Sequence, residues 1–312
     1  FFSSLSPRQI EQAGAMTFPS YRALVGSPDN TLLTVAAVRG AEVVGVALWD
    51  CGLPKGNARL LSLFVNPQER RQGIARALLE QSVGRLRDDV STGNVYWSST
   101  LPCAEAFEKL LMACGWSEKR LDMRRVSGTA QLSRDWAHRR KMDRMLNRPG
   151  WRFVSYDALT EQEKETISVA ADAHDVPESW RPFAPIASDE KIIPELSLVL
   201  FHHGDVVAWL TTCEAPNGDV WYYRLFNVGA HTAVGAGMPL IVEVNRRHLL
   251  RNGPQARWRY NTNEEAPGML AFIDRHASEF CDFEDFHWSS SVAIRPKVND
   301  AVGQVEQVGA VG

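Results

Sequence analysis

Residues 59–79 read Arg-Leu-Leu-Ser-Leu-Phe-Val-Asn-Pro-Gln-Glu-Arg-Arg-Gln-Gly-Ile-Ala-Arg-Ala-Leu-Leu. Leu60, Leu61, Leu63, Phe64 and Val65 form a nearly continuous apolar run, the pattern of a strand covered on both faces. Pro67 has no N–H to give a ladder, so pairing is expected to stop there. From Ala75 onward, Ala75, Leu78, Leu79, Ser82 and Leu86 fall on one face of a helix. Between strand and helix lies a short loop containing Gly73. The free N–H groups of a helix's first turn and its positive dipole end make an anion site. Glycine lets a ligand approach the backbone, and Arg70, Arg71 and Arg76 add charge. Two readings stay open on these residues alone. One is a pocket for a diphosphate, the other an ordinary strand-turn-helix with solvated arginines.

Arg70-x-x-Gly73-x-Ala75, shortly after Val65-x-Pro67 on an apolar strand, resembles the acyl-CoA-binding motif of the GNAT acetyltransferases, Arg/Gln-x-x-Gly-x-Gly/Ala. The resemblance implies that main-chain amides of Gln72, Gly73, Ile74, Ala75 and Arg76 hold the pyrophosphate of acetyl-CoA. It also implies that backbone groups of Phe64 and Val65 pair with the pantetheine arm, where the strand splays from its neighbour. The motif itself covers only this one stretch of the chain.

Composition sets outer bounds. A chain of 312 residues is long for one core, and two domains are expected. Hydrophobic residues at 45% and charged residues at 23% are those of a globular protein. The formal net charge of −3 gives no footprint for nucleic acid. Cys51, Cys103, Cys114, Cys213 and Cys281 are odd in number and widely spaced, which points to neither a zinc site nor a disulfide framework. No metal is expected. No apolar run approaches about 18 residues, and the first residues lack a basic-then-apolar signal pattern. A cytoplasmic protein without a membrane partner is therefore expected.

In chain order, Ser6-Pro7 opens an N-capped helix, after a possible strand remnant at residues 1–3. Strands at 31–39 and 42–50 meet at Gly40-Ala41 as a hairpin. The central strand and motif helix follow, then a strand at 94–100, a helix at 104–113 closed near Gly115, and a strand at 120–126. This order fits a mixed sheet with helices on its faces, an α/β arrangement the GNAT fold would require. Residues 129–149, rich in Arg and Lys but interrupted by Asp135 and Asp143, read as a basic, solvated connecting helix.

The chain then repeats itself. At a constant offset, with Cys51 over Cys213, residues 51–101 lie on residues 213–263 with nine identities. Pro54/Pro216, Gly56/Gly218, Leu63/Leu225, Phe64/Phe226, Gly73/Gly235 and Leu78/Leu240 are among them, where chance gives about three. Two tandem GNAT-like domains are expected: residues 1–128, which carry the acetyl-CoA motif, and residues 150–296, a degenerate copy. The segment 129–149 would link them, and residues 297–312 would be a disordered tail. The second copy has Thr232 where the first has Arg70, so its phosphate loop lacks the cation. It is expected to be structural or to form a wall of the acceptor site.

GNAT enzymes often use a glutamate on the central strand and a tyrosine on the helix after the fifth strand. Here the strand carries Ser62, and Leu111 stands at the tyrosine position. Ser99, Thr100 and Cys103, near the end of the strand at 94–100, are the candidate catalytic groups, able to donate to the thioester sulfur. Each also fits an ordinary strand-end or cap residue. Trp221, Tyr222 and Tyr223 line either an aromatic acceptor pocket or a core.

The resemblance implies an acetyl-CoA-dependent N-acetyltransferase acting on an amine of a small metabolite, with direct transfer in a ternary complex. The alternatives are a non-catalytic acyl-CoA-binding or regulatory protein, and a Fem-type aminoacyl-tRNA-dependent transferase. The sequence leaves the acceptor, acyl length and oligomeric state unspecified.

Overall fold

The computed structural model describes residues 5–27, 29, 31–184, 191–215, 217–229 and 236–294. The expected remnant strand at 1–3, the turn at 230–235 and the tail at 297–312 lie outside them. Contacts divide the chain into two units. Unit 1 is Phe1–Arg120 with Trp288–Gly312, and unit 2 is Leu121–His287.

Unit 1 opens with α1 (Pro7–Ala15), whose start is a reciprocal capping box between Ser6 and Gln9. The β1 (Leu32–Arg39) and β2 (Glu42–Leu53) strands pair antiparallel across Gly40, and β2 pairs antiparallel with β3 (Asn57–Val65). Next come α2 (Ile74–Val83), β4 (Thr92–Ser98) and α3 (Ala104–Ala113). β4 runs parallel to β3. Residues Val43 to Trp49 of β2 are all buried, because α1 covers one face and α2 and α3 the other. Gly45 lets α2 settle on the sheet. A Cβ there would stand 3.0 Å from Leu78 Cδ1 and 3.1 Å from the Phe64 carbonyl oxygen. The apolar face of α2 read from the sequence is the one that packs, with Leu78 and Leu79 buried against Trp49, Leu60 and Val95.

Unit 2 contains β5 (Arg120–Thr129) from Leu121, α4 (Ala130–Arg139), α5 (Asp143–Leu146), β6 (Trp151–Ser155) and α6 (Glu161–Ala173). It continues through β7 (Lys191–Ile192), β8 (Leu198–His202), β9 (Asp205–Glu214), β10 (Val220–Asn227) and α7 (Gly237–Asn252). The last elements are β11 (Arg257–Thr262), α8 (Pro267–Phe280) and β12 (Phe283–Ala293). Residues of β12 up to His287 stand beside β5, and those from Trp288 belong to unit 1, where Ile294 N–H donates to Ser91. One face of the unit 2 sheet packs on α4, α7 and α8 through Trp136, Tyr222, Trp258 and Phe280. The other packs on α6 through Tyr156, Ile167 and Trp209.

Three expectations change. First, the unit boundaries fall at Arg120/Leu121 and His287/Trp288 rather than after residues 128 and 149. The reason is pairing: β5 forms six antiparallel pairs with β11, from Arg257↔Thr129 to Thr262↔Arg124. Second, residues 129–149 are not a solvated linker. Trp136 and Ala137 on α4 are each 1% exposed, and Trp136 lies 4.8 Å from the Phe280 ring, while Arg140 turns outward to Glu279. The basic residues occupy one face of a helix whose other face is core. Third, the repeat is gapless only through the motif helix. β3 and β10 keep the offset, but Leu60 pairs with Val95 while Tyr222 pairs with Tyr260, three places beyond the gapless alignment. α7 is longer than α2, so beyond the motif helix the gapless alignment no longer pairs equivalent positions.

Candidate functional site

The parallel ladder between β3 and β4 runs from Asn57↔Thr92 to Leu60↔Val95 and stops, although β3 continues to Val65 and β4 to Ser98. At that point β3 is bulged. Leu48 faces Ser62 and Trp49 faces Leu60, leaving Leu61 as the extra residue. A bulge bends its strand and raises its twist, so the carboxyl ends of β3 and β4 part. Two loops follow from those ends, residues 66–73 after β3 and residues 99–103 after β4.

The first loop turns through a short 3-10 segment, Pro67–Glu69, and ends at Gly73. Gly73 caps α2 in the left-handed region, at φ +78°, and brings no side chain to the helix start. The first intrahelical bond is Ala77 N–H to the Gly73 carbonyl at 3.0 Å. The amides of Ile74, Ala75 and Arg76 precede it and have no partner within the helix. A Cβ on Gly73 would meet nothing within 4 Å. The cradle is therefore open, bare of side chain and lined by amide donors, which fits an anion.

The arginines are used unequally. Arg70 folds back: its Nε–H donates to the Val65 carbonyl at 3.1 Å, and its guanidinium lies 5.8 Å from the Phe64 ring centroid. That carbonyl is one of the backbone groups assigned to pantetheine from the sequence, and Arg70 already takes one of its acceptor directions. Arg71 is exposed, with φ +65°. Arg76 pairs with Glu80 at 2.7 Å, one turn along α2. Gln72 belongs to a clamp that sequence reasoning missed. Arg39, at the end of β1, donates to Gln72 Oε1 at 2.7 Å and pairs with Glu69 at 2.7 Å, while the Gln72 amide donates to Glu69 at 3.1 Å. Nothing in the spacing of residues so far apart signals this clamp. Beside it a groove of about 650 Å³ is lined by Gln12, Met16, Arg39, Val44, Phe64 and Glu69.

In the second loop, Ser98 Oγ and Thr100 Oγ1 are 2.6 Å apart, and Thr100 N–H donates to Ser98 Oγ at 3.1 Å. Ser99, Thr100 and Cys103 are exposed, and Cys103 is the cap position of α3 without a side-chain cap bond. These three candidates thus share one turn at the carboxyl end of β4. Leu111, at the position of the family's tyrosine, is 1% exposed and packed in the core of unit 1. Ser62 is buried just past the bulge.

Unit 2 repeats the geometry with different contents. The β10/β11 ladder ends at Tyr222↔Tyr260, and β10 is bulged at Tyr223, since Tyr222 faces Thr212 and Arg224 faces Thr211. Arg224 occupies the place of Ser62, is buried, and donates to the Ala184 carbonyl at 3.0 Å. Beside this splay a cavity of about 30 Å³ is lined by apolar and aromatic side chains, among them Leu225, Tyr260, Met269 and Phe272. Tyr222, one of the three possible pocket aromatics, is core, its hydroxyl donating to Asn245 at 2.6 Å. Burial pushes that hydroxyl far above the usual tyrosine range. Trp221 and Tyr223 stay partly exposed. Thr232 and Gly235, expected to mark the second loop as lacking a cation, lie outside the described residues.

A family profile described as an acetyltransferase (GNAT) domain matches residues 6–110. Residues 6–110 are thus similar to that domain family. Comparison with curated proteins gave no match. Among solved structures, a GCN5-related N-acetyltransferase from Sphaerobacter thermophilus is 15% identical, with a TM-score of 0.51. The alignment covers 93% of this chain and 91% of that one. A tandem GNAT protein from the clavulanic acid biosynthesis pathway is 14% identical at a TM-score of 0.49, covering 93% of this chain and 94% of that one. The fold of the Sphaerobacter thermophilus protein is thus matched along residues of both units. Proteins of the superfamily use acetyl-CoA or another acyl-CoA, and the bare Gly73 cradle beside the β3/β4 splay fits a diphosphate with an extended arm. Among the described residues no helix is long and apolar enough to cross a membrane.

Proposed function

We propose that unit 1 binds acetyl-CoA and transfers its acetyl group to an amine of a small metabolite, both bound at once. The observation that carries this reading is the splay of β3 from β4 opening beside the uncapped first turn of α2. Acetyl-CoA would supply an acyl group activated as a thioester. The chain's part is to hold and orient it. Amides of Ile74, Ala75 and Arg76 would take phosphate oxygens, and Arg71 would add a cation to them. Unladdered backbone of β3 past the bulge would accept the arm. Ser99, Thr100 and Cys103 would offer donors to the sulfur as it leaves.

The buried Leu111 and Ser62 favour a second reading, in which unit 1 binds acyl-CoA without turning it over. Release of free thiol from acetyl-CoA with a panel of small amines separates the two. Amine-dependent, multiple-turnover release supports transfer. Saturable acetyl-CoA binding with no release above the amine-free rate supports the binding protein, and absence of any binding removes both.

A further inference from the structure

The face of the unit 2 sheet turned away from α7 and α8 carries a cluster that the reading of unit 1 leaves unused. β11 lies between β10 and β5, with Trp221↔Arg259 in register on one side and Asn261↔Arg125 on the other. Tyr222, Trp258, Tyr260 and Val126 point into the core on the α7 and α8 face. Side chains alternate along a strand, so Trp221, Arg259, Asn261 and Arg125 share the opposite face. The Arg259 guanidinium sits 4.4 Å from the Trp221 ring centroid, and the Tyr223 ring stands 4.6 Å from that of Trp221, nearly perpendicular. Arg125 Nε–H reaches Asn261 Oδ1 at 3.4 Å.

Like charges on adjacent strands of one face destabilise a sheet. Here burial and the charge of Arg259 together hold the Arg125 guanidinium below its ordinary range. Buried Asp285 offsets part of this charge and also lies 2.9 Å from His287 Nε2. Burial lowers His287, so it is neutral at pH 7, and exposed Asp122 acts on it only weakly. Arg125 and Arg259 outnumber Asp285, the buried carboxylate near them, and the Arg224 guanidinium, 4.6 Å from the Tyr223 ring, adds to the positive charge. Among the described residues no carboxylate lies within ion-pair distance of Arg125. The Trp221 indole N–H is buried without a hydrogen-bond partner.

We propose that this face is a binding site for a small molecule carrying a carboxylate, held by Arg125 and Arg259 and walled by Trp221 and Tyr223. The guanidinium fork matches a planar carboxylate, and the aromatic pair supplies an edge for an apolar body. A bare phosphate would leave the Trp221 and Tyr223 wall uncovered, whereas a carboxylate on an apolar body would use it. The site stands independently of acyl-CoA, and its test omits acyl-CoA.

The full chain is titrated calorimetrically with benzoate, benzamide and inorganic phosphate. Saturable binding of benzoate is expected, with benzamide and phosphate at least about tenfold weaker. Arg125→Gln, checked for native circular dichroism, should weaken benzoate by about tenfold or more, and Arg125→Lys by less, because it keeps the charge and loses the fork. No saturable benzoate binding, wild-type affinity in Arg125→Gln, or benzamide binding as well as benzoate would each overturn the site. Phosphate binding as tightly as benzoate would overturn the carboxylate assignment.

Discussion

His248 on α7 is fully buried, and neither ring nitrogen has a hydrogen-bond partner. Burial is the chief reason its protonation is pushed down to about 4, from an ordinary value of 6.5. Arg251, one turn further on, pushes the same way, and Asp219 opposes them. In the unfolded chain the ring takes a proton near pH 6.5, whereas in the folded unit it resists until about pH 4. Between those values the unfolded state binds more protons, so stability rises with pH. The contribution is complete above pH 6.5 and is lost as pH falls through the folded value. Over the whole interval it amounts to about 3 kcal/mol, of which ~2 kcal/mol is gone at pH 5. Other groups titrate in the same range, so the variant His248→Leu is the control. It has similar volume, cannot titrate and leaves no orphaned nitrogen, and it should be as stable as wild type or more so at pH 7.5. Urea melts at pH 7.5 and 5.0, fitted with a separate transition for each unit, give the difference between the two proteins. That difference should move by ~2 kcal/mol in favour of the variant at the lower pH. Parallel pH dependence of the two proteins would refute the argument, since it would mean the ring is hydrated or already charged in the folded unit.

The loop of unit 1 gives further expectations. Gly73→Val should raise the dissociation constant for acetyl-CoA at least about tenfold, read by calorimetry. It should cost only about 1–2 kcal/mol of stability, because a Cβ there meets no protein atom and the penalty is the left-handed backbone alone. Arg39→Ala should weaken acetyl-CoA a few-fold, about 1 kcal/mol, by loosening Glu69 and Gln72, with a smaller change in melting temperature because Arg39 itself is exposed. With Ser62 rather than a carboxylate past the bulge, the rate of acetyl transfer should rise with pH up to the pKa of the acceptor amine itself. A plateau well below that pKa would show a base on the protein.

The strand, loop and helix start that frame unit 1's candidate site were legible because their physics is local. An apolar run, a proline stop, a glycine and an amphipathic helix fix strand, loop and helix start within residues 59–79, and the end of β3 at Val65 and the start of α2 at Ile74 follow that reading to within a residue. The repeat was legible for the same reason, through the strands and helix that build each splay. What was not legible depends on partners remote in sequence. No local property of residues 120–129 says that β5 pairs with β11, and none of Trp136 says that it is covered by Phe272 and Phe280. The basic composition of α4 concealed a buried face because arginines tolerate one side of a helix whatever the other side does.

The position just past each bulge shows how the two units diverged on a shared frame. A bulge turns the next side chain toward the face opposite the motif helix, and in both units that side chain is buried. In unit 1 it is Ser62, small enough to leave space at the splay without supplying charge. In unit 2 it is Arg224, whose burial is made tolerable by carbonyl acceptors and by the Tyr223 ring 4.6 Å away. A guanidinium so held cannot take a proton from an amine. On the α7 and α8 face, among the described residues, the space at this splay is a cavity of about 30 Å³, the volume of roughly one water. The same backbone device thus leaves an open cradle and splay in unit 1 and, among the described residues of unit 2, a packed sheet face with a buried guanidinium.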